Sequence, residues 1–278
     1  MLGIINSIIL GIIEGITEWL PVSSTGHIIL AEIFFPLHGA TPQFKEMFDV
    51  VIQLGAIFAV ILLFWNKLWP FSTDKSHHYI KEKTFSLWFK VIVAVIPSMI
   101  VGLPLDDWFD AHFYNYQTIA TTLIIYGILF ILIENYRKDK RPSITCLSGI
   151  NYKTALLIGL FQVLAIVPGT SRSGATIVGA LLLGVARPVA AEFTFFLAIP
   201  TMFGASLLKM VKYIAEGLTM SGTEIAMLAA GSITAFVVSM FAIGFLMRYV
   251  KKHDFKIFGW YRLALGIIVI IYFTFLIK

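Results

Sequence analysis

The sequence predicts an all-α integral membrane protein, with six transmembrane helices and two re-entrant helix-loop-helix hairpins arranged as an inverted-topology repeat. Three observations carry this expectation. The 278-residue chain is 58% hydrophobic and 13% charged, with a mean hydropathy of +0.87, whereas soluble domains carry roughly 25% charged residues. Six apolar runs are each long enough to cross, or nearly cross, the hydrocarbon as a helix. Two further apolar regions are broken by proline, glycine and hydroxyl residues, and they resemble each other.

In chain order, the first hairpin is expected over 1–36, with apolar pieces at 2–20 and 26–36 around "PVSSTGH". Its first run, Leu2 to Leu20, lacks a basic start and carries Glu14 and Glu18, so it is expected to stay in the mature protein rather than act as a signal peptide. Spans follow at 48–65, 87–105 and 117–133, closing a first repeat over 1–135. The second repeat, 153–278, begins with a hairpin at 154–186 around "PGTSRSG" and continues with spans at 190–208, 225–247 and 257–277. All belong to one membrane domain. The hairpin pieces on each side of the breaks, mostly short for a span, suit half-helices at membrane depth, where irregular backbone is tolerated only inside protein or beside a wet cavity.

Charge sets the orientation. The connections at 66–90, 136–153 and 248–262 each hold five Lys or Arg, fifteen of the chain's twenty-one. The connection at 106–116, "DDWFDAHFYNY", has none and holds three aspartates; 214–224 also has none. The basic loops are therefore expected in the cytoplasm and the other two outside. A pI near 9.2 then reports orientation rather than nucleic-acid binding, and no nucleic-acid partner is expected. The single cysteine, Cys146, excludes an internal disulfide and a thiolate zinc site.

The stretch from Gly11, "GIIEGITEWLPVSSTGHIIL", lies beside "GLFQVLAIVPGTSRSGATIV" from Gly159. With a one-residue slip on each side of the proline, this pairs Glu14 with Gln162, Pro21 with Pro168, Ser24 with Ser171 and Gly26 with Gly174. Each copy precedes three spans, an odd number, so the copies are expected upside down relative to each other with their tips approaching mid-bilayer. Arg172 inside the second tip needs a partner or a wet cavity. Glu14 and Glu18, at i and i+4 on one helix face, supply the complement.

The tips have the makings of a phosphate site. Small hydroxyl residues and glycine before a helix (Ser23, Ser24 and Thr25; Gly169, Thr170, Ser171 and Ser173) offer backbone N–H groups at the positive end of a helix dipole. Arg172 adds a fork of donors matched to phosphate oxygens. Glu14 and Glu18 can hold a divalent cation, and Ser24 with His27, one helical turn apart, are candidates for nucleophile and base. Taken singly, each feature also has a structural reading: a satisfied helix break, interfacial acids, or a histidine bonded between helices. Asp49, Gln53 and Glu192 are expected to support the tips or to be hydrated at helix ends. His77 and His78 are expected to be solvated, and Gly204, Ala205 and Ser206 to serve close helix packing.

At these residues the sequence resembles the undecaprenyl-diphosphatase, or bacitracin-resistance, family. The likeness covers essentially the whole chain, through "GIIEGITEWLPVSSTGHIIL", "FDVVIQLGAIFAVI", "VPGTSRSGATI" and "ARPVAAEFTFFLAIPTMFGAS". It implies hydrolysis of undecaprenyl diphosphate to undecaprenyl phosphate and inorganic phosphate, which recycles the lipid carrier for cell-wall synthesis and confers bacitracin resistance. It also implies a divalent cation, Mg2+ or Ca2+, and a location in the bacterial inner membrane with the site open to the outer face. Glu14 and Glu18 correspond to the family's acidic pair and Ser24 and His27 to its hydroxyl and histidine, while Ser171, Arg172, Ser173 and Thr176 fall in its second motif. Serine, histidine and activated water remain open as nucleophiles, and a homodimer is compatible with the sequence. A transporter or flippase of polyprenyl phosphate is the competing class, because inverted repeats with broken helices are what transporters use.

Overall fold

The computed structural model describes residues 1–71 and 81–276, the side chains of Asp106, Asp107, Asp110 and Leu276 excepted. It is an all-helical bundle. In order, the helices are α1 (Leu2–Thr17), α2 (Ser24–Phe34), α3 (Pro42–Leu63), the single turn α4 (Trp65–Leu68), α5 (Glu82–Phe113), α6 (Tyr116–Arg137), α7 (Tyr152–Val163), α8 (Arg172–Leu182), α9 (Arg187–Ala215), α10 (Gly222–Tyr249) and α11 (Lys256–Ile271). Among the described residues six helical stretches are long and apolar enough to cross a membrane: Pro42–Leu63, Glu82–Leu105, Tyr116–Arg137, Arg187–Ala215, Gly222–Tyr249 and Lys256–Phe275. The protein is thus a multi-pass membrane protein. His77 and His78 lie outside the described residues.

Local chemistry fixes where the helices begin. Thr41 caps α3 by accepting from Phe44 N–H, with Pro42 in the first turn, where its missing donor does no harm. Asn115 and Asn151 accept from Thr118 N–H and Thr154 N–H at the starts of α6 and α7. Ser221 and Glu224 form a reciprocal capping box on α10.

Glycines let selected helices touch backbone to backbone. A Cβ placed on Gly11 of α1 would strike the Gly231 carbonyl of α10, and one on Gly159 of α7 would strike the Ala94 carbonyl of α5. Gly127 of α6 and Gly259 of α11 face each other reciprocally, with 2.8 Å between either added Cβ and the other's carbonyl oxygen. Small residues at crossings are how helices associate in lipid, where no hydrophobic force separates protein from solvent. The basic-loop end is tied by Glu134, buried in α6. It accepts from Arg187 Nε at 2.9 Å and from the Phe255 backbone N–H at 3.0 Å, joining the starts of α9 and α11.

The structure corrects several expectations. The acidic stretch 106–116 is not a loop over most of its length, because α5 continues to Phe113. The basic connection at 248–262 shrinks to 250–255, since α10 ends at Tyr249 and α11 begins at Lys256. Arg262, counted above as a loop charge, is therefore helical, and it is fully buried. Ser206 does pack closely, donating to the Val50 carbonyl at 3.1 Å. Gly204 and Ala205 do not: both are exposed, and a Cβ on Gly204 meets nothing within 4 Å.

Candidate functional site at two facing helix breaks

Both tips are built by one device. Ser23 and Ser171 adopt positive φ, +74° and +69°, the only non-glycine residues among those described to do so. Each caps the helix that follows: Ser23 Oγ accepts from Gly26 N–H at 3.3 Å and Ser171 Oγ from Gly174 N–H at 3.1 Å. The left-handed conformation costs a serine on the order of 1 kcal/mol; the cap offsets it and turns the chain sharply into the helix. This shifts the sequence pairing by one residue. Ser23, not Ser24, is the counterpart of Ser171, so Ser24 and Arg172 occupy the same first helical position of α2 and α8. One hairpin places a hydroxyl there and the other a guanidinium.

The tips meet through Glu18. Its Oε1 accepts from Arg172 Nη2 at 2.8 Å, and its Oε2 from Ser24 Oγ at 2.7 Å. Its backbone carbonyl accepts from Ser173 Oγ at 3.2 Å. Arg172 Nη1 also donates to the Thr194 carbonyl of α9 at 3.1 Å, which fixes the plane of the fork. Thr194 Oγ1 in turn donates to Thr176 Oγ1. Glu14 lies one turn before Glu18, is only 1% exposed, and its Oε1 has no hydrogen-bond partner.

The contact between Glu18, Ser24 and Arg172 borders a cavity of about 900 Å³. Glu14, Glu18, Ser24, Thr25, Gly169, Ser171 and Arg172 face it, as do Asp49, Gln53 and Gln162. Toward the end opposite the basic loops its lining reaches Glu32, Lys45, Glu46 and Lys209. On the other side of the tips, Trp19 is fully buried, edge-on to Phe195 with ring centroids 5.2 Å apart, and Phe64 packs on Phe195 and Phe196. Glu192 lies on that side too, paired with Lys67 of α4.

Not every expected site residue faces the cavity. Ser23, Thr170, Ser173 and Thr176 are buried within the tips, and their hydroxyls or backbones hold the turns. His27 is absent from the lining. Its Nδ1 is 2.6 Å from the Ser23 carbonyl, its Nε2 2.7 Å from the Tyr261 hydroxyl, and its ring stacks on Tyr261. The hydrogen-bond partner of Ser24 is Glu18, so the expected Ser24–His27 pair is not formed in this structure.

Sequence reasoning missed Arg262. Its Nη2 donates to the carbonyls of Gly169 and Thr170 at 2.9 and 3.0 Å, and its Nη1 to the Pro21 carbonyl at 3.3 Å. One guanidinium from α11 therefore holds both tips by the carbonyls that their sharp turns leave unpaired. Tyr126 stacks over it at 5.5 Å. A signal was present: Arg262 lies inside the apolar run 257–277, where a charge needs buried partners.

The donor set suits a hard divalent cation. Glu14 offers a buried, unpartnered carboxylate oxygen beside Glu18, and Mg2+-type ions are held by one or two carboxylates with substrate phosphates completing the shell. Among the described residues no group of three or more His, Cys, Asp or Glu is placed to hold a metal, so water or substrate oxygens would have to supply the remaining ligands of any cation held here.

Six spans enclosing a buried acid–arginine pair at two facing helix breaks define an integral membrane protein with a polar site inside its bundle. The particular lineage follows from the whole sequence. The chain belongs to the bacitracin resistance protein BacA family, which it matches over residues 7–268. It is 60% identical over 272 residues to an undecaprenyl-diphosphatase of Desulfitobacterium hafniense, covering 98% of this chain and 96% of that one. Another undecaprenyl-diphosphatase, from Acetivibrio thermocellus, is 58% identical with 98% of both chains covered. That of Enterococcus faecalis is 57% identical with 96% of both covered.

Proposed function

We propose that the protein is a membrane phosphatase that hydrolyses undecaprenyl diphosphate to undecaprenyl phosphate and inorganic phosphate. It thereby returns the lipid carrier to cell-wall synthesis and confers resistance to bacitracin. The observation that carries this reading is the three-way contact at the tips, in which Glu18 joins a serine hydroxyl to an arginine fork. Whole-length identity to proteins named for that activity supports it.

In the proposed arrangement α1–α2 and α7–α8 are re-entrant hairpins, and the two halves form an inverted repeat. The matching serine caps and the reciprocal glycine contacts support this. With the basic loops in the cytoplasm of a bacterial inner membrane, the charged mouth at Glu32, Lys45 and Glu46 opens outward.

The catalytic roles follow from position. Arg172 and the unpaired N-terminal amides of α2 and α8 bind the terminal phosphate. Ser24 Oγ attacks the phosphorus, the bond to the bridging oxygen breaks, and undecaprenyl phosphate leaves. Glu18, already accepting from Ser24, takes its proton. When water attacks the phosphoserine, Glu18 returns that proton to the departing Ser24 Oγ, and the water leaves its oxygen and one proton on the inorganic phosphate while its other proton passes to solvent in the cavity. Glu14 and Glu18 would hold Mg2+ or Ca2+, which supplies positive charge against the diphosphate. His27, bound to the Ser23 carbonyl, sets the first tip from behind. Rapid quenching during turnover, followed by mapping of the phosphorylated residue, tests this: phosphoserine at 24 is expected, and phosphohistidine at 27 would overturn the assignment.

A further inference from the structure

The cavity does not end at the hairpin tips. Its lining continues between α5 and α9, past Met99, Gly102 and Leu103 on one wall and Gly204, Ala205 and Leu208 on the other. The two helices are tied just before this slot, where Gln162 of α7 donates from Nε2 to Ser98 Oγ at 2.8 Å and Thr201 Oγ1 at 3.3 Å. One turn further along, each wall carries a glycine with open space beside it. A Cβ on Gly102 or on Gly204 meets nothing within 4 Å, in contrast to the glycines at Gly11, Gly55 and Gly159, where it would strike a backbone carbonyl. Pro97 and Pro104 in α5 and Pro200 in α9 each remove an intrahelical hydrogen bond near the slot, which favours a local bend in its walls. Met99 and Leu103 are 51% and 59% exposed.

The cavity therefore has two ways out with opposite chemistry. The mouth is flanked by Glu32, Lys45, Glu46 and Asp49, where water is at home but a hydrocarbon is not. The slot is apolar, and it faces sideways from two helices that span the bilayer. We infer that the slot between α5 and α9 seats the isoprenoid chain of the substrate and leads it from the phosphate site into the bilayer. This rests on the phosphatase reading of the same site and adds where the tail lies. A diphosphate at Arg172 leaves its tail in the cavity, and the slot is the continuous apolar path from there. Gly102 and Gly204 are then specificity-determining because their missing side chains are the width of the passage.

The test compares Gly102→Phe and Gly204→Phe with wild type in detergent, reading phosphate release from undecaprenyl diphosphate and from geranyl diphosphate, whose isoprenoid tail is far shorter. Gly244→Phe, on α10 with equally open space around it, is the control and is expected to match wild type on both substrates. The slot variants are expected to lose about tenfold or more in kcat/KM on the long substrate, where tail binding contributes to catalysis, and less than about twofold on the short one. Retained turnover of geranyl diphosphate also shows that the variants fold. Equal losses on both substrates, or no loss on the long one, would overturn the slot. Wild type that releases phosphate from neither would instead overturn the phosphatase reading itself.

Discussion

Arg172 and Glu18, 154 positions apart in the chain, meet at 2.8 Å across the junction of two hairpins. Both side chains are largely buried, 11% and 8% exposed, so neither charge is stable there without the other or a bound anion. Phosphate binding can exploit that pairing, because Arg172 keeps its second nitrogen on the Thr194 carbonyl and so remains aimed at the cavity.

Glu18→Gln preserves the shape of this contact while removing its charge and its capacity as a base. It is expected to lower kcat by roughly 10²–10³-fold, the scale of lost transition-state stabilisation, with elution as a folded monodisperse species unchanged. Phosphate release under saturating substrate checks the rate, and gel filtration checks the fold.

Ser24 and His27 are separated by the same logic. Ser24→Ala removes the hydroxyl that Glu18 holds and should reduce turnover at least as far as Glu18→Gln does. Tyr261→Phe removes only the partner of His27 Nε2 and should cost less than about tenfold, as loss of one peripheral hydrogen bond does. A Tyr261→Phe defect as deep as that of Ser24→Ala would place His27 in the chemistry.

Arg262→Met leaves the carbonyls of Pro21, Gly169 and Thr170 buried without their donor. Stability should fall by about 2 kcal/mol or more, measured by unfolding in mixed detergent micelles. Arg262→Lys should recover only part, since an ammonium lacks the fork that reaches both tips.

Gly11→Val and Gly159→Val test the packing of α1 on α10 and of α7 on α5. Both introduce a Cβ into a backbone carbonyl and should destabilise by about 1–3 kcal/mol each, the range for overpacking. Similar losses at the two sites in the same unfolding assay are expected if the contacts are equivalent; indifference at either would remove that equivalence.

Much of this was readable in the sequence because it is local. Apolar run length marks the spans, and Pro, Gly and hydroxyl clusters mark the breaks. The acids and Arg172 announce themselves as charges where lipid forbids them. What escaped is non-local. Arg262 looked like one more basic residue near a cytoplasmic loop, because its partners are carbonyls 92 to 241 positions away. The i, i+3 spacing put Ser24 and His27 on one turn, but the histidine ring is drawn aside by Tyr261, 234 positions on. The one-residue error in pairing Ser24 with Ser171 arose because both tips contain several serines, and only backbone geometry tells which one caps. The acidic stretch after Leu105 reads as a loop by polarity alone, yet no capping signal intervenes before Asn115 to end the helix.

The most direct measurement is phosphate release from undecaprenyl diphosphate by the purified protein, with and without a chelator, beside Arg172→Ala. Cation-dependent release by wild type that falls by roughly 10²-fold or more in the variant is the expected result. Turnover by Arg172→Ala within about twofold of wild type would mean that the facing tips do not bind the reacting phosphate.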